Sequence, residues 1–311
     1  MSQALRVVFM GTPEVAVPTL RVVAERCQVQ CVVTQPDRPA GRGRHLRASA
    51  VKQAAEELGL PLWQPDSLRG QAGHPAVQGA DLFVVFAYGE ILSPRFLRLP
   101  AIAAINLHCS LLPRWRGASP MQAALRHADQ DTGISIQRMV RELDAGPVYA
   151  RHRLPLSPTT TLPQLHDALA QLGAEAMAAF LRSWPAAEPV AQDPTAVTWC
   201  HKLTHEDGHI DWRQAAPAVE RQVRAYTPAP GCWTLADGQR LGIQAVRVVD
   251  ASLAPGQVQC CGRHLVVGCG TGAVAIEQLQ PPGKRPMAIA AYLNGHQPPD
   301  RCELPRDPNP S

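Results

Sequence analysis

The sequence predicts an α/β domain with a doubly wound, mainly parallel sheet, followed by a small antiparallel β-barrel. Over residues 1–183, short apolar runs alternate with helical patterns, which is typical of a sheet covered by helices on both faces. A proline-rich stretch without periodicity follows from residue 184. Beyond residue 206, short strands broken by glycines indicate a barrel.

Near-continuous apolar runs in the first domain predict strands that are buried on both faces. These runs lie at 5–10, 30–34, 81–87 and 101–107. Helices are predicted at 49–59, where Ser49 is a suitable N-cap, and at 119–128, where Pro120 suits the first turn. From 133 to 156, two period-two segments separated by a polar turn predict a β-hairpin.

Periodicity and composition predict the elements and the domain boundaries of the rest of the chain. Helical periodicity predicts helices at 162–182, 217–226 and 286–294, and Asp237-Gly238 predicts a hairpin turn. The last fifteen residues are rich in proline, which predicts disorder. The expected division is an N-terminal domain at 1–183, a linker at 184–205, a barrel domain at 206–296 and a disordered tail at 297–311.

Composition also limits the class of protein. The chain is 45% hydrophobic with a net charge of +4, and no apolar run approaches the ~20 residues of a membrane span. We expect a cytoplasmic monomer without membrane association. Its nine cysteines form no Cys-x-x-Cys motif, which favours packed thiols in a reducing compartment. A metal site at Cys260, Cys261 and Cys269 is the alternative.

Asn106 and His108 are the first residues whose chemistry suggests a site. They are two apart at the carboxyl end of a predicted strand, so their side chains face the same side. Carboxyl ends of parallel strands open onto the ligand crevice of such sheets. An amide and an imidazole there can stabilise a developing oxyanion. The structural alternative is a capping asparagine beside a hydrogen-bonded histidine.

Two further segments suggest a function only in combination with Asn106 and His108. Asp144 lies between two predicted strands, where an Asp is commonly a turn residue. If the turn folds over His108, its carboxylate would orient the imidazole. Residues 35–47 combine four arginines with glycine and proline, which predicts a mobile cationic loop suited to phosphate contacts or simply a solvated loop.

Several common catalytic signatures are missing from the sequence. The Gly11-Thr12-Pro13 turn lacks the glycine pattern of dinucleotide-binding sites, and no Walker or G-x-S-x-G motif occurs. Cys109 faces the opposite side of its strand from His108, so packing is the better interpretation of it.

Six segments, in order along nearly the whole chain, resemble the folate-dependent formyltransferases and in particular their methionyl-tRNA branch. They are MGTP at 10–13, QPDRPAGRGR at 35–44, FAYGEIL at 86–92, INLHCSLLPRWRGASP at 105–120, LDAGP at 143–147 and EDGHIDW at 206–212. The resemblance implies formyl transfer from 10-formyltetrahydrofolate to the α-amine of initiator methionyl-tRNA, with no metal ion. It also implies a Rossmann-like domain followed by an OB-like barrel.

The same resemblance implies roles for particular residues. Catalytic roles fall to Asn106, His108 and Asp144. The residues expected to bind folate are Ser110, Leu111, Leu112, Pro113, Phe86, Tyr88, Gly89, Ile91 and Leu92, beside the stretch 138–143. The residues expected to bind tRNA are Arg38, Arg42, Arg44, Arg47 and Lys202.

Some positions depart from the family pattern. Glu142 replaces a common glycine, Ala145 a common threonine and His205 a frequent lysine, while Cys109 occupies a small-residue position. These departures concern the lining of the pocket and the charge of the linker.

Two other functions remain open at this point. A formyltransferase acting on a small amine, such as glycinamide ribonucleotide or an amino sugar nucleotide, would need the same Asn–His–Asp set but not the cationic loop. A non-catalytic RNA-binding protein would need the loop and barrel alone. Residues 114–116 (Arg-Trp-Arg) can contact either the folate carboxylate or the terminal nucleotides of tRNA, and Trp115 can also be a packing lid.

Overall fold

A seven-stranded sheet organises the N-terminal part of the chain. The computed structural model describes residues 4–40, 45–184 and 188–305. The first eleven strands are β1 (Arg6–Gly11), β2 (Gln28–Val33), β3 (Arg38–Ala40), β4 (His45–Arg47), β5 (Leu62–Trp63), β6 (Leu82–Phe86), β7 (Ala103–His108), β8 (Arg116–Gly117), β9 (Asp131–Arg138), β10 (Val148–Pro155) and β11 (Trp199–Cys200). The first five helices are α1 (Val17–Arg26), α2 (Ala50–Glu57), α3 (Pro94–Leu97), α4 (Pro120–Arg126) and α5 (Leu162–Ser183).

The strand order β10-β9-β7-β6-β1-β2-β5 confirms the predicted parallel-dominated sheet. Strands β5, β2, β1, β6 and β7 are parallel; β9 runs antiparallel to β7, and β10 runs antiparallel to β9 and so in the direction of the parallel strands. The chain leaves β1 toward β2 on one side and returns to β6 on the other. This reversal opens a crevice at the carboxyl ends of β1 and β6.

Both faces of the sheet are covered, which explains the continuous apolar runs. On one face, Val8 packs in a cluster with Phe83 and Phe96. On the other face, α5 approaches so closely at Gly173 that an added Cβ would lie 3.0 Å from the Phe86 ring. Strands β1 and β6 are therefore buried almost throughout.

The C-terminal part of the chain is an antiparallel sheet with two helices. Its elements are α6 (Ala216–Tyr226), β12 (Cys232–Ala236), β13 (Gln239–Val249), β14 (Val258–Cys261), β15 (His264–Gly268), β16 (Ala273–Gln280), β17 (Met287–Ala288) and α7 (Ile289–Leu293). The order is β12-β13-β16-β15-β14, with β17 paired to β16. Asp237-Gly238 makes the predicted hairpin turn. Trp212 lies in the core of this part and donates from Nε1 to Thr234.

Two predictions for the end of the chain were wrong. The helix expected at 286–294 covers only Ile289–Leu293, because Met287 and Ala288 pair with β16 instead. The tail expected to be disordered from 297 is ordered through residue 305. Arg301 bridges to Gln257 and Cys302 to Ala236, and the Cys302 side chain is only 1% exposed. These pairings satisfy strand edges that would otherwise be open, which composition does not reveal.

The chain folds into two compact units. The first comprises residues up to Pro120 with Asp131–Leu156 and Leu165–Cys200, and the second comprises Met121–Gln130, Ser157–Gln164 and the chain from His201. Two short segments thus group with the later part of the chain, because Arg126 donates to Gln214 and Arg224 donates to the Thr160 carbonyl. No helix in the described ranges is long and apolar enough to cross a membrane.

Candidate functional site

The carboxyl end of β7 gathers polar side chains on one face. Asn106 lies opposite Gln137 of β9, and His108 lies opposite Ser135. Residues directly opposite one another in adjacent strands share a face of the sheet, so these four side chains project together. His108 is 6% exposed and Asn106 is half-buried.

Asp144 joins this group from the turn after β9. Its Oδ1 accepts a 2.9 Å hydrogen bond from Gln137 Nε2, and its Oδ2 accepts one of 2.9 Å from the Gly117 main-chain N–H. Asp144 Oδ1 lies 3.7 Å from His108 Nδ1, which is close enough for an ion pair but too long for a hydrogen bond. The structure therefore folds the Asp144 turn over His108, which the sequence left as a condition.

The imidazole is oriented by a main-chain carbonyl that sequence analysis missed. His108 Nε2 lies 2.8 Å from the Trp115 carbonyl oxygen. A carbonyl only accepts hydrogen bonds, so Nε2 carries the hydrogen. Nδ1 is then the nitrogen that faces Asp144. Trp115 is buried, with φ of +57°, and its packing role is the one that the structure supports.

A network of contacts holds the Asp144 turn in place. Gln192 Nε2 donates to the carbonyls of Asp144 (2.8 Å) and Gly146 (2.7 Å). Gln192 Oε1 accepts from the Arg116 guanidinium at 2.8 and 3.1 Å. A Cβ at Gly146 would lie 1.7 Å from the Arg138 carbonyl oxygen, so only glycine allows this path of the chain.

The Asn106 amide has spare hydrogen-bonding capacity. Within the described ranges, no side-chain or main-chain group is hydrogen-bonded to it. An amide nitrogen carries two N–H donors, and this one is half-exposed beside His108. The site thus combines an available donor, an oriented imidazole and a carboxylate. This combination can stabilise negative charge on an oxygen and can accept a proton beside it.

The segment predicted to bind folate after β7 is tightly held. Ser135 Oγ donates to the Ser110 carbonyl at 2.7 Å and accepts from the Leu112 N–H at 3.0 Å. Arg151 donates to the Leu112 carbonyl at 2.6 Å. Ser110 and Leu112 are buried, whereas Leu111 and Pro113 remain half-buried and form the accessible part of this wall.

The second predicted folate segment is more deeply packed than expected. Phe86, Tyr88 and Leu92 are buried side chains of the core. Gly89 and Ile91 are exposed, Ile91 at 77%. The prediction that Phe86, Tyr88 and Leu92 bind folate therefore stays a prediction, since the structure places their side chains in the core. Any ligand contact from this segment would come from its main chain or from Ile91.

The cationic segment is structured where the structure describes it. Strands β3 and β4 form a two-stranded ribbon, with Arg38 and Arg47 paired and exposed. Arg42 and Arg44 lie outside the described residues. At the base of the ribbon, Lys52 Nζ lies 2.6 Å from Asp37, and this hydrogen bond lowers the pKa of that carboxyl. Lys202, expected to bind tRNA, is exposed.

Sequence analysis missed Gln137 and Gln192 as well as the Trp115 carbonyl. Gln137 had a signal, because in β9 it shares with Ser135 the polar face opposite Ile134 and Ile136, the face that joins Asn106 and His108 once β9 pairs with β7. Gln192 had none, since it lies in the stretch interpreted as a linker. A role that depends on a main-chain carbonyl leaves no trace in residue identity.

Of the cysteines, Cys200 contacts this site, since its Sγ donates to the carbonyls of Trp115 at 3.6 Å and Arg116 at 3.4 Å. Burial raises the pKa of the Cys109 thiol to about 12, as expected for a packed residue. Cys269 is buried whereas Cys260 and Cys261 are exposed. Across the ranges that the structure describes, no three His, Cys, Asp or Glu side chains converge closely enough to hold a metal ion.

The sheet, the appended antiparallel domain and the Asn–His–Asp group define a class of transferase. Residues 5–181 match the family model for formyl transferase, and residues 202–297 match the model for the formyl transferase C-terminal domain. The chain therefore belongs to the formyl transferase family.

Two relatives within this family are similar to the chain along nearly its whole length. The methionyl-tRNA formyltransferase of Methylococcus capsulatus is 42% identical, over 94% of this chain and 97% of its own length. That of Paracoccus denitrificans is 43% identical, over 96% of this chain and 100% of its own length.

Solved structures of lower identity share the fold. An N-formyltransferase from Helicobacter canadensis, in complex with folinic acid and dTDP-3-aminofucose, has a TM-score of 0.66 at 11% identity, over 88% of this chain and 98% of its own. HypX from Aquifex aeolicus, in complex with tetrahydrofolic acid, has a TM-score of 0.62 at 15% identity. This chain spans 47% of HypX, and 94% of this chain is covered.

Proposed function

We propose that this chain transfers the formyl group of 10-formyltetrahydrofolate to the α-amine of initiator methionyl-tRNA. The observation that carries the proposal is the meeting of Asn106, His108 and Asp144 at the end of β7. The chain also matches methionyl-tRNA formyltransferases along nearly its whole length, through both the catalytic and the C-terminal family models.

In the proposed mechanism, Asn106 and His108 stabilise the oxyanion. The unprotonated amine attacks the formyl carbon, a C–N bond forms, and the carbonyl electron pair moves to the formyl oxygen. The Asn106 N–H and the His108 Nδ1–H donate to that oxygen, while Nε2–H stays on the Trp115 carbonyl. Only a ring with hydrogen on both nitrogens makes both contacts. Donors fixed in this way contribute through preorganisation.

Asp144 has two functions in this proposal. Its carboxylate lies 3.7 Å from His108 Nδ1 and places a negative charge beside the hydrogen that this nitrogen donates to the oxyanion. It also accepts the proton of the attacking amine, directly or through a water molecule. When the oxyanion electron pair returns to carbon, the bond to the folate nitrogen breaks and that nitrogen takes up a proton. Protons and electrons then balance over the transfer.

The remaining predicted residues have binding roles in the proposal. The accessible wall at Leu111 and Pro113, together with Gly89 and Ile91, would contact the folate substrate. Cationic side chains would contact tRNA phosphates, as is usual for positioning nucleic acids. Those side chains are Arg38, Arg42, Arg44, Arg47 and Lys202. The domain limits 1–183 and 206–296 and a monomeric cytoplasmic enzyme belong to the same proposal.

A side-by-side formylation assay tests this function. Purified protein would be given 10-formyltetrahydrofolate with initiator methionyl-tRNA, elongator methionyl-tRNA, glycinamide ribonucleotide or a dTDP-amino sugar. We expect formylmethionyl-tRNA from the initiator substrate at a kcat/KM well above the other three. Preferential formylation of a small amine would overturn the proposal, as would tRNA binding with no folate-dependent product.

A further inference from the structure

Trp199 is an exposed aromatic residue beside the candidate site. Its side chain is 57% exposed, which is unusual for the largest apolar side chain. It lies on β11, the short strand that pairs in parallel with β8. The strand order of the main sheet leaves this two-stranded element separate, so Trp199 does not serve the core of that sheet.

Strand pairing brings Trp199 close to Asp144. Trp199 is the register partner of Arg116, and Cys200 is the partner of Gly117, whose N–H binds the Asp144 carboxylate. Paired strands lie about 4.8 Å apart and consecutive Cα atoms about 3.8 Å, so the Trp199 Cα is within about 9 Å of the Gly117 Cα. The residue that carries the exposed ring is therefore close along the main chain to the N–H group that binds the Asp144 carboxylate.

A cation lies next to the ring, and hydrogen bonds hold the main chain beside it. The Arg116 guanidinium carbon is 5.8 Å from the Trp199 ring centroid, within the range of a cation–π interaction. The same guanidinium binds Gln192, which holds the Asp144 turn. The neighbouring Thr198 accepts from the Trp115 and Arg116 N–H groups at 2.8 and 2.9 Å. Arg116 and Gln192 thus connect the ring to the Asp144 turn.

We propose that Trp199 is the stacking platform for the terminal adenine of the tRNA acceptor end, with Arg116 beside the adjoining phosphate. An exposed ring next to a guanidinium is the arrangement that binds single-stranded nucleic acid. The terminal adenosine is the fitting occupant, because one ribose and one ester separate its base from the amine that must reach Asn106 and Asp144. This inference rests on the proposed function and adds a substrate-positioning residue to it.

Steady-state kinetics of Trp199→Ala and Trp199→Phe test the platform. Loss of one stacked base predicts a KM for methionyl-tRNA raised roughly 5- to 150-fold in Trp199→Ala, with kcat changed less than about threefold. Trp199→Phe should stay within about threefold of wild type, because phenylalanine also stacks. The matched control is Ile102→Ala, since Ile102 is 42% exposed at the opposite, amino end of β7 and should leave KM unchanged.

A binding measurement tests the same point without catalysis. An oligonucleotide ending in CCA should quench the tryptophan fluorescence of the wild-type protein, and the quench should be lost in Trp199→Phe. The same oligonucleotide with an abasic terminal ribose should bind more weakly to wild type and equally to Trp199→Ala.

The two hypotheses fail in different ways. A wild-type enzyme that forms no formylmethionyl-tRNA would overturn the proposed function. The platform alone would be overturned if the wild type is active and Trp199→Ala keeps the wild-type KM for methionyl-tRNA. It would also be overturned if the wild type binds the CCA oligonucleotide and its abasic form equally well. If Trp199→Ala does not fold, the abasic comparison on the wild-type protein decides.

Discussion

Replacement of Asp144 by asparagine separates the charge of this carboxylate from its shape. Each carboxylate oxygen accepts a different hydrogen bond, Oδ1 from Gln137 and Oδ2 from the Gly117 N–H. Asparagine has only one accepting oxygen. The amide would keep its oxygen on Gly117, because that main-chain donor cannot turn away. Its NH₂ would then face Gln137, whose own amide can flip to accept.

The cost of Asp144→Asn to folding is therefore modest. One charge-assisted hydrogen bond becomes a neutral one, and the Gln137 flip weakens its 3.5 Å contact with Gln192. Such changes cost about 1–3 kcal/mol. At roughly 2–4 °C per kcal/mol for a unit of this size, Tm should fall by several degrees while the protein stays folded at assay temperature.

The cost to catalysis is larger. With Nε2–H fixed on the Trp115 carbonyl, an asparagine NH₂ at the Oδ1 position would face His108 Nδ1 across 3.7 Å with its hydrogens in place of a negative charge. A hydrogen on Nδ1 would then point at another N–H group, so the ring is no longer set to donate from Nδ1. One donor to the oxyanion is lost, which typically lowers kcat by 10²–10³. The KM for methionyl-tRNA should change little, since Asp144 is nearly buried.

The assay is kcat at saturating methionyl-tRNA and folate substrate, with a thermal melt of the same preparation. Asp81→Asn is the matched control, because Asp81 also accepts hydrogen bonds from a main-chain N–H and a side chain but precedes β6 at its opposite end. We expect Asp81→Asn to lose some stability and to keep its kcat. A folded Asp144→Asn enzyme with kcat within threefold of wild type would refute the proposed role of the carboxylate.

Four further outcomes follow from the structure. Asn106→Ala should lower kcat by roughly 10²–10³ without changing Tm by more than a few degrees, and a near-normal kcat would contradict its role as a donor. Gly146→Ala should lower both kcat and Tm, because the new Cβ meets a backbone carbonyl at 1.7 Å; unchanged kinetics would show that the turn adapts. Arg47→Ala should raise the KM for tRNA and flatten its log–log salt slope by about one unit, with kcat recovered at saturation. At neutral pH, iodoacetamide should label exposed Cys260 in the native protein and spare buried Cys232, because burial raises the pKa of the Cys232 thiol to about 12. Mass spectrometry of the labelled protein measures this, and labelling of Cys232 before Cys260 would contradict it.

The sequence predicted the secondary structure of the first unit well, for a physical reason. Strands buried on both faces need continuous apolar runs, so β1, β6 and β7 appear directly in composition. The period of two in a strand likewise places Asn106 and His108 on one face without any knowledge of the tertiary structure.

By itself, the sequence determined the alternation of strands and helices, the antiparallel domain that follows, and the placement of an amide and an imidazole at one strand end. Tertiary structure alone decided that Asp144 reaches His108, that the Trp115 carbonyl orients the ring, and that Gln192 holds the turn. It also decided that Cys302 helps to cover the strand edges of the second unit. The physical reason is range: periodicity and propensity act between residues a few positions apart, whereas these contacts join distant segments and depend in part on main-chain atoms that every residue shares.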